Sequence, residues 1–235
     1  MCRSRASFVD GCLFSSTAAS SGGFFFENRL LILELINYMD IQTINTYNKM
    51  AFAYDNETVD FWDRFPKTIF DKFIELTKGR VLDVGSGPGR DGLILKNAGL
   101  DVVCIDASEE MVKLSLNRGL NSIVGDFNDL PFDNKSFDGI WAYTSLLHVP
   151  KLEVGKAFSE IARVIKAGGI FGLGLIEGDT ELYRESSGMN QKKWFSFYKK
   201  EEIENLLNQY GFEILYFEEF KPGSKNYLNY ISRKV

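Results

Sequence analysis

Three aspartates and three glycines carry the chemistry this chain advertises. In "VLDVGSGPGR", residues 81 to 90, Asp83 stands two residues ahead of a cluster formed by Gly85, Gly87 and Gly89, directly behind an apolar run. Glycine is entropically costly in an ordered element, so such a cluster marks a tight turn or a backbone that must approach a ligand closely. Asp106 closes the next apolar run, "DVVCID", 21 residues after Gly85, near the spacing at which a carboxylate accepts from both ribose hydroxyls. Asp126 closes a third run, "NSIVGD", and Phe127 follows it. The dinucleotide fingerprint G-x-G-x-x-G fails here, because Arg90 occupies its third glycine position. Three carboxylates around one crevice serve a pyrophosphate poorly and suit a cation that carries a ribose and an adenine. Singly, Asp83 also reads as a turn cap, Asp106 as an N-cap neighbour and Asp126 as a loop residue. Placed at three successive run ends, they point to a ligand.

The elements that must position these residues alternate in type. "TVDFWDRFPKTIFDKFIELTKG" reads as helix, "RVLDVG" as a buried strand, and "RDGLILKNAG" as a helix stopped at Gly99. After "DVVCID", Ser108 caps a helix with Glu109 and Glu110 in its first turn, where the helix dipole favours negative charge. "NSIVGD" and "FDGIWAY" are strands, and Val154, Phe158, Ile161, Val164 and Ile165 share one helical face before the strand "GIFGLGLI". Ile203, Leu206, Leu207 and Tyr210 mark a last helix, and "FEILYFEEF" and "NYLNYISRKV" close the chain as two strands too near in sequence to be joined by a helix. This alternation predicts an α/β domain, a mostly parallel sheet covered by helices on both faces with an antiparallel hairpin at the end. In such sheets the ligand sits at the carboxyl ends of the strands, beside the topological switch point. Those ends carry Asp83 with Gly85, then Asp106, Asp126 and Tyr143.

The remaining composition narrows the field. The 235 residues fit one sizeable domain with length for an extension, and 45% hydrophobic with 25% charged residues is ordinary for a globular protein. A net charge of -5 offers no basic footprint and weighs against a nucleic-acid partner. Cys2, Cys12 and Cys104 form no metal-ligand spacing, so no metal is expected, and a reducing, cytoplasmic setting fits. The serine-, alanine- and glycine-rich residues 1–38 read as a disordered or artefactual extension, with the domain running from 39 to 235. Asp10 and Gly11 interrupt any signal-like core, and "LLILELI" is too short to span a bilayer, so no membrane segment is expected.

S-adenosylmethionine is a cation of the required kind, with a sulfonium, an ammonium and a ribose diol. At this point the chain resembles the class I S-adenosylmethionine-dependent methyltransferases, from about Tyr47 to the C-terminus. "VLDVGSGPGR" resembles the family's first motif, "VVCIDASEEM" its ribose-binding second strand, and "GDFNDLPFDNKSFDGIWA" its adenine-side loop and fourth strand. "IARVIKAGGIF" resembles a helix-turn-strand that usually reads L-K-P-G-G, with Ala167 in place of the proline. The resemblance implies a doubly wound, Rossmann-like sheet of seven strands and S-adenosyl-L-methionine as cofactor. It implies that Gly85, Gly87 and Gly89 admit the methionine part, that Asp83 holds its ammonium, and that Asp106 binds the ribose. Asp126 would then accept from the adenine amino group with Phe127 packed nearby, and Ala107 and Tyr143 complete the cofactor set. "YNKMAFAYD" resembles the family's cofactor-closing N-terminal segment, in which Tyr47 and Tyr54 would cover the site; helix packing is the equal alternative for both.

Methyl transfer from a sulfonium is an in-line displacement, so the protein's task is alignment and exclusion of water, with a base only if the acceptor must lose a proton. "AYTSLLHVPK" would face the methyl group, and it lacks both the N-P-P-Y and the P-C sequences of nucleic-acid methylators. A small-molecule acceptor is therefore expected. His148, the single histidine, is the candidate general base by virtue of its ordinary pKa, against a purely structural role. Glu177, at the end of a strand, and Trp194, Phe197 and Tyr198 are the candidate acceptor wall, against plain edge packing. Three rival readings remain at this level. One is a tRNA or nucleic-acid base methyltransferase using Lys192, Lys193, Lys199 and Lys200; another is a cofactor-binding protein without catalysis. The third, a nicotinamide oxidoreductase, is opposed by the missing fingerprint.

Overall fold

A computed structural model describes residues 40–185 and 191–235. The expected extension over residues 1–38 lies outside them. The chain folds as a seven-stranded sheet in the order β3-β2-β1-β4-β5-β9-β8, with a separate two-stranded ribbon of β6 and β7. The strands are β1 (Arg80–Val84), β2 (Asp101–Asp106), β3 (Asn121–Val124), β4 (Phe137–Tyr143), β5 (Ile165–Ile176), β6 (Glu181–Glu185), β7 (Lys192–Ser196), β8 (Phe212–Phe220) and β9 (Tyr227–Lys234). Strands β1 to β5 pair in parallel, and β9 runs antiparallel between β5 and β8. The expected α/β sheet with a C-terminal hairpin is thus present, its last strand inserted inside the hairpin's partner.

The helices are α1 (Ile41–Thr58), α2 (Phe61–Arg64), α3 (Thr68–Leu76), α4 (Arg90–Asn97), α5 (Glu109–Asn117), α6 (Val154–Val164) and α7 (Lys200–Gln209). The run from Thr58 to Gly79, expected as one helix, is broken twice. Pro66 brings no N–H donor, and Phe65 before it is extended at φ -126, ψ 153, as the residue preceding a proline prefers. The turn entering β5 is also different from a plain turn. Residues 165–176 form one long strand with a register break opposite Phe137 and Gly139, and Gly168 takes the left-handed φ of 78°.

The chain winds outward from β1 through β2 to β3, then returns to place β4 on the other side of β1. That reversal opens a crevice between the carboxyl ends of β1 and β4. Both strands are buried along nearly all their length, and Trp141 of β4 is fully buried against Phe70 and Phe73 of α3. An apolar centre therefore fixes the strand ends that project Asp83 and Tyr143.

Helix α1 lies across these ends. Asp40 caps it by accepting from the Thr43 amide at 2.8 Å. Asn48 Oδ1 accepts from Ser108 Oγ at 2.7 Å and from the Glu110 amide at 3.2 Å, which ties α1 to the start of α5. Arg118 donates from Nη2 to both Asp55 oxygens, at 2.6 and 2.8 Å, and from Nη1 to the Pro88 carbonyl. One guanidinium thus joins α1 to the glycine loop. Replacing it with Arg118→Ala leaves Asp55 without its partner. Hydrogen bonds to charged groups contribute about 1.5–3 kcal/mol, and a domain of this size shifts by about 2–4 °C per kcal/mol. Thermal unfolding of Arg118→Ala is expected to show a Tm lower by roughly 3–12 °C.

Candidate active site

The glycine loop explains its own composition. Gly85, Gly87 and Gly89 all hold left-handed φ values, 66°, 54° and 83°. A Cβ on Gly85 would collide with the Ser145 side chain, and Gly89 forms the N-cap of α4 in that conformation. Such geometry is strained for other L-residues. The loop is drawn toward β2 by Asp106, whose Oδ2 accepts from the Gly87 amide at 2.8 Å while Oδ1 accepts from the Ser108 amide at 2.8 Å. Each carboxylate oxygen has a second lone pair, so acceptor capacity remains. Burial pushes the Asp106 carboxyl up to about 6, with these two amide bonds opposing.

A cleft of about 690 Å³, its open mouth included, occupies the switch point. Tyr47, Tyr54, Asp83, Gly85, Gly87, Asp106, Ala107, Phe127, Tyr143 and His148, ten of the residues singled out from sequence, line it together. Gly89 is the hinge behind the loop. Asp126 stands beside the lining residue Phe127 and accepts from the Asn128 amide at 2.8 Å, without itself lining the cleft. Tyr143 stacks between Trp141 and Tyr227, at centroid distances of 5.5 and 6.4 Å. Three buried polar atoms of lining residues, Asp83 Oδ2, Ser86 Oγ and Ser145 Oγ, have no hydrogen-bond partner among the described residues. Burial raises the Asp83 pKa well above the ordinary carboxylate range, and the neighbouring Asp91 raises it further while Arg90 opposes.

Sequence reasoning missed Arg90 and Asp91. Asp91 is buried in the first turn of α4, where it accepts from Trp62 Nε1 and Trp141 Nε1, both at 2.8 Å, and from Arg90 Nε at 2.6 Å. Arg90 lies over the Phe61 ring at 4.7 Å. The two tryptophans come from positions 29 and 50 residues away, so spacing alone carried no sign of this cluster. Arg90 was visible only as the residue that spoiled the dinucleotide pattern.

The acceptor-side candidates are arranged differently from expectation. His148 ends a short 3₁₀ turn, Leu146–His148, and lines the cleft, but both ring nitrogens are engaged. Nδ1 lies 2.6 Å from the Trp194 carbonyl, which can only accept, so Nδ1 bears the hydrogen. Nε2 then accepts from Tyr47 Oη at 2.7 Å. Burial pushes the His148 pKa down to about 3, and the Lys193 ammonium lowers it further. The ordinary imidazole pKa assumed from sequence does not apply. Lys193 Nζ in turn donates to Tyr47 Oη at 3.3 Å.

The segment that carries Trp194, Phe197 and Tyr198 begins as an ordered strand, β7. Strand β7 pairs antiparallel with β6 and is pinned to α1, with the Trp194 amide donating to Thr43 Oγ1 at 2.8 Å and Thr46 Oγ1 donating to the Lys192 carbonyl at 2.9 Å. Glu177, Trp194, Phe197 and Tyr198 do not line the cleft. Glu177 accepts from Asn226 Nδ2 at 3.0 Å near the surface, and Tyr198 is buried under Lys151, whose Nζ lies 4.9 Å from its ring centroid. Trp194 reaches the site through its carbonyl, and its indole turns to Ser196 Oγ at 3.0 Å. Nor do the four lysines make one basic surface, because Lys193 is buried. Its phase in β7 was the readable sign: Lys193 and Phe195 share a face, with Trp194 on the other.

An open sheet of mainly parallel strands, with a carboxylate-lined cleft at its switch point, defines a ligand-binding α/β protein. The comparisons go further. A family model described as a methyltransferase domain matches residues 82–173. An uncharacterised protein of Methanocaldococcus jannaschii is 30% identical, over 72% of this chain and 82% of that protein. A sterol 24-C-methyltransferase of Clavispora lusitaniae is 32% identical over 58% of this chain, and the match spans 40% of that enzyme. An S-adenosylmethionine-dependent methyltransferase of Methanosarcina mazei, of known structure, has the same fold. Its TM-score is 0.64 at 22% identity, over 73% of this chain and 98% of that one. Residues 82–173 thus match a methyltransferase domain, on the fold of S-adenosylmethionine-dependent methyltransferases of known structure. The donor set fits S-adenosylmethionine, since carboxylates and unpartnered polar atoms face one cleft.

Asp91 offers a test of how this cleft is held. Asp91→Ala strands two buried indole N–H groups, each costing about 1–3 kcal/mol when left unsatisfied. Chemical denaturation is expected to show a loss of roughly 2–5 kcal/mol. A loss below about 0.5 kcal/mol would mean that the indoles find other partners.

Proposed function

We propose that the chain transfers the cofactor's methyl group to a small-molecule acceptor entering beside Tyr47 and His148. The observation that carries this reading is the cleft's lining. Asp83, Asp91 and Asp106 stand beside the glycine loop, and Tyr47, Tyr54 and His148, from α1 and the 3₁₀ turn, add aromatic rings. A cleft of about 690 Å³, its open mouth included, is of the size of small-molecule sites. The sterol substrate in the name of one relative is a small molecule too, although the match covers less than half of that enzyme.

When bound, the cofactor supplies a methyl group already activated by its sulfonium. In this reading Asp83 holds the ammonium, Asp106 accepts from the ribose, and the adenine packs by Phe127 near Asp126. Arg90, a cation in the wall of the cleft, faces the methionine carboxylate. Glycine-loop backbone and the Tyr54 ring close the sides. Tyr47 meets the acceptor, and His148 acts behind it as a positioning residue. With its Nδ1 hydrogen committed to Trp194 and its pKa pushed down to about 3 by burial, His148 stays neutral and holds the Tyr47 hydroxyl in place through Nε2. Alignment and exclusion of water do most of the work, where proximity is worth roughly 7–11 kcal/mol.

The decisive experiment is transfer of label from methyl-labelled S-adenosylmethionine to fractionated metabolite and tRNA pools. Label in a small-molecule fraction supports the proposal, and label only in tRNA overturns it. Cofactor binding has its own signatures. Asp106→Ala should weaken S-adenosylhomocysteine binding roughly ten- to a hundredfold in calorimetry, the loss of charge-assisted bonds. Because the ribose needs an ionised acceptor, wild-type affinity should be level above pH 6 and fall about tenfold per unit below it. The stability of the cofactor-free protein moves in the opposite sense. As pH rises from 3.8 to about 6, Asp106 ionises in the unfolded chain before it does in the folded one, and stability falls.

Tyr47→Phe keeps the ring and removes the hydroxyl. It is expected to lower methyl transfer roughly ten- to a hundredfold, the loss of a positioning contact, while leaving S-adenosylhomocysteine affinity nearly unchanged. His148→Phe should match that loss, and the double variant should add little to either. Additive losses would separate the two residues.

A further inference from the structure

Lys193 is a charge that the methyl-transfer reading leaves unused. It is 6% exposed, on the strand that seals the acceptor end. Its ammonium lies 4.4 Å from the Tyr47 ring centroid, 5.3 Å from that of Tyr54 and 5.9 Å from that of Phe195. Its hydrogen bond goes to a neutral oxygen, Tyr47 Oη at 3.3 Å. Among the described residues no carboxylate lies within salt-bridge distance of it. Burial pulls its pKa down to about 8, Glu57 opposing from further off and Lys225 adding to the fall.

The neighbouring strand adds charge of the same sign. Arg184 stands directly opposite Lys193 in the ribbon register. Residues directly opposite share a face, and like charges so placed destabilise the pair. Phe195 follows on that face two residues after Lys193 and meets the His148 ring at 4.9 Å. The same ribbon face therefore carries two cations and the aromatic contact to the acceptor end. Cation–π contacts offset part of the burial cost of the Lys193 ammonium, while Arg184 is exposed, with its guanidinium 5.5 Å from the Phe197 ring centroid. Lys193 does not itself line the cleft; its ammonium lies directly against Tyr47 and Tyr54, two rings that do.

We propose that the methyl acceptor carries an oxyanion group, a carboxylate or a phosphate, and that Lys193 is its counter-ion, with Arg184 facing it across the ribbon. This rests on the small-molecule reading above and deepens it by naming a substrate class. The bound anion donates no atoms to the reaction. It fixes one end of the acceptor so that the other approaches the methyl group beside Tyr47. Specificity follows, because an uncharged analogue would leave the ammonium buried without a partner.

The test uses the full chain saturated with S-adenosylhomocysteine and three probes: benzoate, phenyl phosphate and the uncharged benzamide. At pH 7, calorimetry is expected to show benzoate or phenyl phosphate binding roughly ten- to a hundredfold more tightly than benzamide. The anion that binds identifies the group. Lys193→Met should abolish the preference and Lys193→Arg should retain most of it, with product affinity unchanged in both. Equal binding of benzamide and the anions by the wild-type protein, or no binding of either anion, overturns the proposal, as does a preference that survives in Lys193→Met. The wild-type comparison decides the matter even if a variant fails to fold. Failure of the cofactor reading would appear separately, as a protein that S-adenosylhomocysteine does not bind.

Discussion

Burying negative charge is the constraint on which the cleft is organised. Asp83 and Asp91 are buried, and Asp106 is half-buried, within one strand-end crevice. Each meets the cost differently. Asp91 takes two indole donors and a guanidinium, and becomes a structural fixture. Asp106 takes two backbone amides, which shape the glycine loop and start α5. Asp83 keeps one oxygen unpartnered, and its proton affinity rises. A cation with amine and hydroxyl donors is the kind of ligand that satisfies the last two without disturbing the first. S-adenosylmethionine, the cofactor proposed for this cleft, is such a cation.

The same reasoning accounts for the glycines. Asp106 can reach the Gly87 amide only if the loop turns left-handed, and the loop has room for that only where side chains are absent. Three costly residues are explained by one carboxylate that must hold the backbone open to a ligand.

Most of the fold, and the gathering of ten candidate residues into one cleft, were legible in the sequence, for a common reason. Buried parallel strands read as apolar runs, and their ends are marked by the first polar residue, here Asp83, Asp106 and Asp126. Local patterns place local features. What escaped was non-local. Asp91 is ordinary until Trp62 and Trp141 converge on it. His148 carried the right chemistry on paper, but its pKa depends on burial and on a lysine 45 positions further along the chain. The ribbon left little alternation to detect, because its two strands are short and one is wholly exposed. The break at Pro66 was available to reading, since a proline there removes a donor from any helix spanning it.

The acceptor half depends on α1 in a way no single contact reveals. Tyr47 brings the hydroxyl that fills His148 Nε2, and Thr43 and Thr46 of the same helix hold the strand whose Trp194 carbonyl fills Nδ1. Both hydrogen bonds that define the histidine's tautomer therefore rest on one helix. Asp55 of that helix holds the glycine loop through Arg118, and Asn48 holds the start of α5 beside Asp106. A movement of α1 large enough to admit a ligand beneath it must part Tyr47 from His148 and Asn48 from Ser108 together. In the proposed reading, the groups that meet the acceptor are therefore assembled only when α1 is seated, which links enclosure of the cleft to its competence.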